Sequence, residues 1–118
     1  MKGFGDKNQS KIIKNKQKVN IDQLVKKAFD FQAQGRKLEA AKYYQYLIHQ
    51  GIKDYRIFSN YGIFLNEIGK HKEAELELNK AISLNPKYAN AYYNLAVLYI
   101  SKGKLKKAEI LLKKAIEL

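Results

Sequence analysis

ANAYYNLAVLYISKGKLKKAEILLKKAIEL, residues 89–118, repeats a pattern already present thirty-four positions earlier in YRIFSNYGIFLNEIGKHKEAELELNKAISL, residues 55–84. Eleven of the thirty aligned positions are identical, where unrelated sequences of this kind share only a few. Glycines at Gly35, Gly69 and Gly103 and alanines at Ala40, Ala74 and Ala108 keep the same spacing, and residues 21–54 follow the frame more loosely. A fixed period of this length is the signature of a repeat architecture.

Within each unit, apolar residues recur at three- and four-residue steps on both sides of the glycine. That spacing predicts two amphipathic helices joined by a tight turn. First helices are expected near 21–34, 55–68 and 89–102, and second helices near 37–50, 71–84 and 105–117. Asn85-Pro86 interrupts the chain between the last two units, because proline disfavours a helical residue before it and has no donor of its own.

The eighth residue of the units is Ala28, Gly62 or Ala96, and the twentieth is Ala40, Ala74 or Ala108. Small residues facing each other let two helices approach closely. Bulkier residues fill the space beside them: Leu24, Phe58 and Tyr92 at the fourth position, Phe31, Leu65 and Tyr99 at the eleventh, Tyr44, Leu78 and Leu112 at the twenty-fourth.

In its period and its small and aromatic positions the chain resembles the tetratricopeptide repeats, over about 98 of its 118 residues. The resemblance implies an all-α fold: three helix-turn-helix units, residues 21–54, 55–88 and 89–118, stacked as a short right-handed solenoid behind a disordered tail, residues 1–20. Departures are the missing Trp at the fourth position, Lys27 at the usually apolar seventh, and Leu47 and Ile52 where the family prefers Ala and Pro. They make the first unit the least regular, as expected of a terminal repeat with one face in water.

Asn94 stands amid the apolar run of residues 91–99, and Asn60 holds the same sixth position one repeat earlier. A first-helix residue there, turned neither to the hairpin nor to the neighbouring repeat, faces the concave groove. A primary amide offers an acceptor and two donors, so it can pair with both C=O and N–H of an extended peptide. The arrangement looks like the repeats of the O-linked N-acetylglucosamine transferases, whose asparagines hold substrate peptides by their backbone. Lys26 takes the place in the first unit, which leaves two amide rungs. Val25, Phe29, Arg56, Ser59, Ile63, Asn90, Tyr93 and Val97 are the flanking groove candidates. The alternative is that the two amides bond locally within the helix array or face solvent.

A chaperone-type carboxylate clamp would need cations in this groove. Val25 and Phe29 occupy two of its places, and Asn90 and Asn94 stand where Lys and Arg are expected, so that use is not indicated. Two to four neutral hydrogen bonds at about 1 kcal/mol each fall short of the roughly 8 kcal/mol of a micromolar complex. Peptide binding by these repeats alone is therefore expected to be weak unless aromatic contacts assist.

The formal charge of +12 would by itself suggest an acidic partner. Yet only Arg36 and Arg56 among 23 basic residues are arginine, and the wealth of Lys, Asn, Ile and Tyr is what AT-rich codons encode. Arginine is the better residue for bidentate phosphate recognition, so nucleic acid is not the expected partner. The leader MKGFGDKNQSKIIKNKQKVN carries six lysines against one aspartate and no helical apolar face, so it is expected to be disordered when free. Together with such repeats it resembles a group of bacterial tetratricopeptide proteins, some of which continue into a sulfo- or glycosyltransferase domain.

Cysteine is absent, which excludes disulfides and thiolate chemistry. No window approaches a membrane span or a secretion signal, so the expected compartment is the cytoplasm. His49 and His71 have no carboxylate set at ligand spacing, and no metal or other cofactor is expected. In the run Tyr43-Tyr44-Gln45-Tyr46, Tyr44 belongs to the core pattern, leaving Tyr43 and Tyr46 for packing or stacking. Glu73, Glu75 and Glu77 read as a solvated face, and nothing resembles a phosphate loop or nucleophile elbow.

The last helix carries Ile110, Leu111, Leu112, Ala115, Ile116 and Leu118 with no polar capping helix after it. The chain is thus expected to be a fragment, to self-associate, or to dock a partner on that face. The leading expectation is a non-enzymatic interaction module that binds an extended peptide in its groove. The alternatives are the substrate-recruiting front of a transferase, and RNA or anionic-surface binding through the lysine-rich tail.

Overall fold

The computed structural model describes residues 20–118 and holds six helices among them. They are α1 (residues 20–33), α2 (Lys37–His49), α3 (Tyr55–Glu67), α4 (His71–Leu84), α5 (Ala89–Ser101) and α6 (Leu105–Glu117). Each boundary falls within about two residues of the range read from the apolar spacing. The expected leader, residues 1–20, lies outside the described residues except for Asn20, which is already helical.

The turns inside the helix pairs share one construction. Gly69 (φ +83) and Gly103 (φ +73) adopt the left-handed conformation that a side chain would strain. Lys70 N–H then donates to the Leu65 carbonyl (2.8 Å) and Gly69 N–H to that of Asn66 (3.0 Å), with Lys104 to Tyr99 (2.8 Å) and Gly103 to Ile100 (3.0 Å) repeating the pair. These are Schellman bonds, which satisfy the helix's last carbonyls and set the next helix antiparallel. The α4–α5 connection is built differently. There the Asn85 side chain accepts from Lys87 N–H (3.1 Å), and Tyr92 Oη donates to the Pro86 carbonyl (2.8 Å).

Two compact units divide between Tyr43 and Tyr44. In the first, Ala28 and Ala40 are fully buried, as the small-residue pattern requires. The Phe31 and Tyr43 rings lie 5.5 Å apart, with the Arg36 guanidinium 4.5 Å above Phe31.

In the second, α3 packs on α4, α5 packs on α6, and α5 also contacts both helices of the preceding pair. Leu65, Ala74, Leu78, Leu95 and Leu98 form its centre, with Tyr61, Ile82, Tyr99 and Leu111 packed around them. A second cluster joins Phe58, Ala81 and Ala91 to Ile48, Tyr55 and Tyr88. Gly62 is where the helices come closest: a Cβ built on it would stand 2.7 Å from Leu78 Cγ and 3.3 Å from the Ala74 carbonyl oxygen.

The acidic run on α4 is not a solvated face. Glu77 is 9% exposed, and its Oε1 takes the Lys80 ammonium at 3.3 Å while its buried Oε2 has no partner among the described residues. Glu75 accepts from Tyr99 Oη (2.9 Å) and pairs with Lys102 (3.5 Å). Glu73 alone of the three is exposed.

On α6 only Ala108 is buried, and Ile110, Ile116 and Leu118 are exposed, Ile116 to 84%. Ile82, one period before Ile116, instead packs in both core clusters. Among the described residues no helix is long and apolar enough to cross a membrane.

Candidate functional site

Asn60 and Asn94 stand at the same position of α3 and α5, one period apart, and both are half-buried. Each commits one N–H to the repeat before it. Asn60 Nδ2 donates to Tyr44 Oη on α2 (3.0 Å), and Asn94 Nδ2 donates to Ser59 Oγ on α3 (2.9 Å). The amides are therefore tied into the contacts between successive repeats, in part as the alternative to groove binding requires. Each keeps an amide oxygen and a second N–H for another partner.

The hydroxyls that receive these bonds are buried. Tyr44 and Ser59 are both 0% exposed, so Ser59, expected on the groove surface, is instead a buried acceptor for Asn94. Burial pushes the Tyr44 phenol above its ordinary pKa, and the Asn60 bond opposes that rise.

Arg56 is also less available than its sequence position suggests. Its Nε and Nη2 donate to Asp54 Oδ1 (3.1 Å) and Oδ2 (2.7 Å), while Asp54 Oδ1 accepts from Arg56 N–H (2.9 Å) as the N-cap of α3. The guanidinium is half-exposed but bidentately matched. Burial favours the neutral Asp54 carboxyl, yet the Arg56 side-chain and backbone hydrogen bonds outweigh it and hold the pKa below the usual 3.8.

That shift has a sign that can be tested. A depressed carboxylate contributes stability above its unfolded pKa and loses it as pH falls through the folded value. Asp54→Asn retains a capping acceptor and gives up the charge, for a loss of about 1 kcal/mol at neutral pH. Thermal melts of both proteins at descending pH are expected to differ at neutrality, to begin to converge near about pH 4, and to meet once the pH has fallen through the folded value.

Around the amides, Asn90 and Tyr93 are exposed, Tyr93 to 54%, and Ile63 and Val97 are half-buried. Asn90 Nδ2 approaches Tyr88 Oη at 3.4 Å, and the Tyr88 ring meets Tyr55 edge-on at 4.7 Å. Val25, Lys26 and Phe29 lie on α1 in the other compact unit, with Lys26 exposed and the other two half-buried. Asp54 and Tyr88 went unnoticed in the sequence. Each immediately precedes a first helix, where a capping residue is to be looked for.

None of the nominated residues lines the apolar cavity of about 600 Å3 formed by Ile48, Ile52, Phe58, Leu76 and Leu84, with Lys53 and Lys80 beside them. Among the described residues no group of three His, Asp or Glu side chains could hold a metal ion. His49 is exposed, and His71 Nδ1 lies 2.8 Å from Asn66 Oδ1.

Family models described as tetratricopeptide repeat match residues 25–87 and 65–118. No curated protein matches the chain. Among solved structures, the Yersinia enterocolitica type III secretion chaperone SycD, in complex with a peptide of the translocator YopD, is 26% identical. The match covers 83% of this chain and 75% of SycD, with a TM-score of 0.72. MamA is 26% identical over 96% of this chain and 68% of its own, at a TM-score of 0.75. The second tetratricopeptide domain of Spaghetti (RPAP3), bound to an HSP90 peptide, is 23% identical over 98% of both chains at a TM-score of 0.74, a likeness of fold alone.

Proposed function

The chain belongs to the tetratricopeptide repeat family, and from that premise we propose that it is a non-catalytic interaction module whose first-helix groove holds an extended peptide by its backbone. The observation that carries this reading is the pair Asn60 and Asn94, two amides in register one repeat apart, each oriented by a bond to a buried hydroxyl and each with hydrogen-bonding capacity left over. Rotamers held in this way lose little entropy when a ligand arrives.

SycD, a relative at 26% identity, was solved with a translocator peptide, which supports peptide binding for this architecture. The local charge supports a backbone reader over a carboxylate clamp, since Asp54 neutralises Arg56. The exposed Tyr93 ring and the half-buried Ile63 and Val97 supply the apolar contact that hydrogen bonds alone leave wanting.

The test uses Asn60→Asp/Asn94→Asp. A carboxylate still accepts from the Tyr44 and Ser59 hydroxyls, so the inter-repeat bonds persist with reversed polarity, while both outward N–H donors are lost. Peptides selected from a random library on the wild-type protein are expected to bind this variant about 30-fold more weakly, near fivefold per amide. Because the contact is to backbone, the loss should be similar among uncharged peptides whatever their sequence, while the two new carboxylates bias charged peptides. Unchanged affinities, or losses confined to particular uncharged sequences, would overturn the reading.

A further inference from the structure

The turns joining α3 to α4 and α5 to α6 lie side by side. Asn66 Nδ2 reaches Ser101 Oγ at 3.4 Å just before them, and Glu75 just after the first turn takes both Tyr99 Oη and the Lys102 ammonium from the second. This edge of the domain gathers Lys70, Lys72, Lys102, Lys104, Lys106 and Lys107 against Glu67, Glu73 and Glu75. Of the six ammonium groups, Lys102 pairs with Glu75 and Lys107 lies 5.6 Å over the Tyr99 ring. Lys70, Lys72 and Lys106 have no carboxylate partner among the described residues, and Lys104 acts on Glu75 through its charge without a direct ion pair.

Capping of the helices that follow does not account for this placement. Lys70 and Lys104 occupy the N-cap positions of α4 and α6, neither with a side-chain cap bond, and α6 has no acidic residue in its first turn. Cations there oppose the dipole of the helix they begin, where Ser, Thr or Asp would cap and complement it, although the same places close α3 and α5, whose C-termini favour them. The same edge also raises large aliphatic side chains into solvent: Leu105 is 66% exposed, Ile68 51% and Ile100 48%.

Lysines interleaved with outward aliphatics are the chemistry of an anionic lipid surface, which attracts ammonium groups without directional contacts and accepts apolar side chains at the headgroup boundary. Single-stranded RNA fits less well. It asks for open aromatic faces and favours arginine, whereas this edge holds no arginine and its Tyr99 ring is covered by Lys102 and Lys107 with its hydroxyl bound to Glu75. We propose that the two adjacent turns form a membrane-docking edge that seats the domain on anionic lipid headgroups, with Leu105 entering the interface beside the lysines. The proposal is independent of the peptide groove and of the leader.

Co-sedimentation of the full chain with vesicles tests it, using phosphatidylcholine alone and phosphatidylcholine with about a third phosphatidylglycerol. Wild type is expected to partition onto the anionic vesicles only. Lys104→Gln/Lys106→Gln/Lys107→Gln should weaken partitioning on the order of 100-fold, near fivefold per lysine. Leu105→Ser should weaken it several-fold at unchanged charge. A matched variant at exposed lysines outside the two turns, Lys42→Gln/Lys53→Gln/Lys87→Gln, should stay within about threefold of wild type. All the changed residues are exposed, and circular dichroism verifies the fold. Equal losses in the two triple variants, no binding to anionic vesicles, or binding to polyuridylate RNA without vesicle binding would each overturn the proposal.

Discussion

Gly62→Val is expected to lower the melting temperature by roughly 15 °C, corresponding to a loss of about 3 kcal/mol. Gly62 lies mid-helix with an ordinary backbone, so glycine is there for space and not for conformation. An added Cβ meets Leu78 Cγ at 2.7 Å, a branch atom of a fully buried side chain that has little room to retreat. Gly62→Ala sets two effects against each other: alanine gains about 1 kcal/mol of helix propensity, and overpacking removes about 1–3 kcal/mol. The expected net is a loss of about 1 kcal/mol. In a Leu78→Ala background, itself about 3 kcal/mol less stable, the 2.7 Å obstruction is gone and only the Ala74 carbonyl oxygen at 3.3 Å remains, so Gly62→Ala should turn stabilising. Urea denaturation of the four proteins measures that change of sign. If Gly62→Ala has the same effect in both backgrounds, the contact does not limit the packing.

Asn60→Ala/Asn94→Ala is expected to destabilise the fold by about 3 kcal/mol, whatever it does to peptide binding. The Ser59 hydroxyl is fully buried and Asn94 is its hydrogen-bond partner, so truncating Asn94 leaves a desolvated hydroxyl unpaired, worth about 1–3 kcal/mol. Loss of the Asn60 bond to Tyr44 adds about 1 kcal/mol. Adding Ser59→Ala to Asn94→Ala should restore much of the deficit, because removing both partners of a buried hydrogen bond is nearly neutral. Denaturant midpoints decide it. A binding assay built on the alanine pair would confound folding with recognition, and the aspartate pair avoids this by keeping both hydroxyls bonded.

The repeat frame was legible because glycine and alanine serve in it for steric reasons that leave few substitutes. A left-handed turn residue and a close helix contact each select a residue type, and Gly69, Gly103, Ala74 and Ala108 do so at constant spacing. Gly51 was equally readable. It has φ +83 and donates to the Ile48 carbonyl, ending α2 as the other turn glycines end their helices. The acidic run misled because neighbours in sequence were taken for one face. Residues two apart on a helix point about 200° apart, so Glu75 faces away from Glu73 and Glu77, which lie only about 40° apart on either side of the edge of the buried face. Glu77, beside Leu78 and between Ala74 and Ala81, falls among the buried positions. What no single repeat could reveal was the fate of the amides, since Ser59 receives its bond from the following repeat and Tyr44 reaches Asn60 from the preceding one.

The thin burial of α6 bears on how the molecule opens. Stability in a stacked array is close to a sum of nearest-neighbour terms, and α6 contributes a single buried residue where α4 contributes Ala74, Glu77, Leu78 and Ala81. Fraying of α6 therefore costs little and leaves the α3–α4 hairpin intact. Within the second compact unit, amide protons of α6 then exchange with solvent before those of α3 and α4, so that its breathing has a direction, from α6 toward the α3–α4 hairpin.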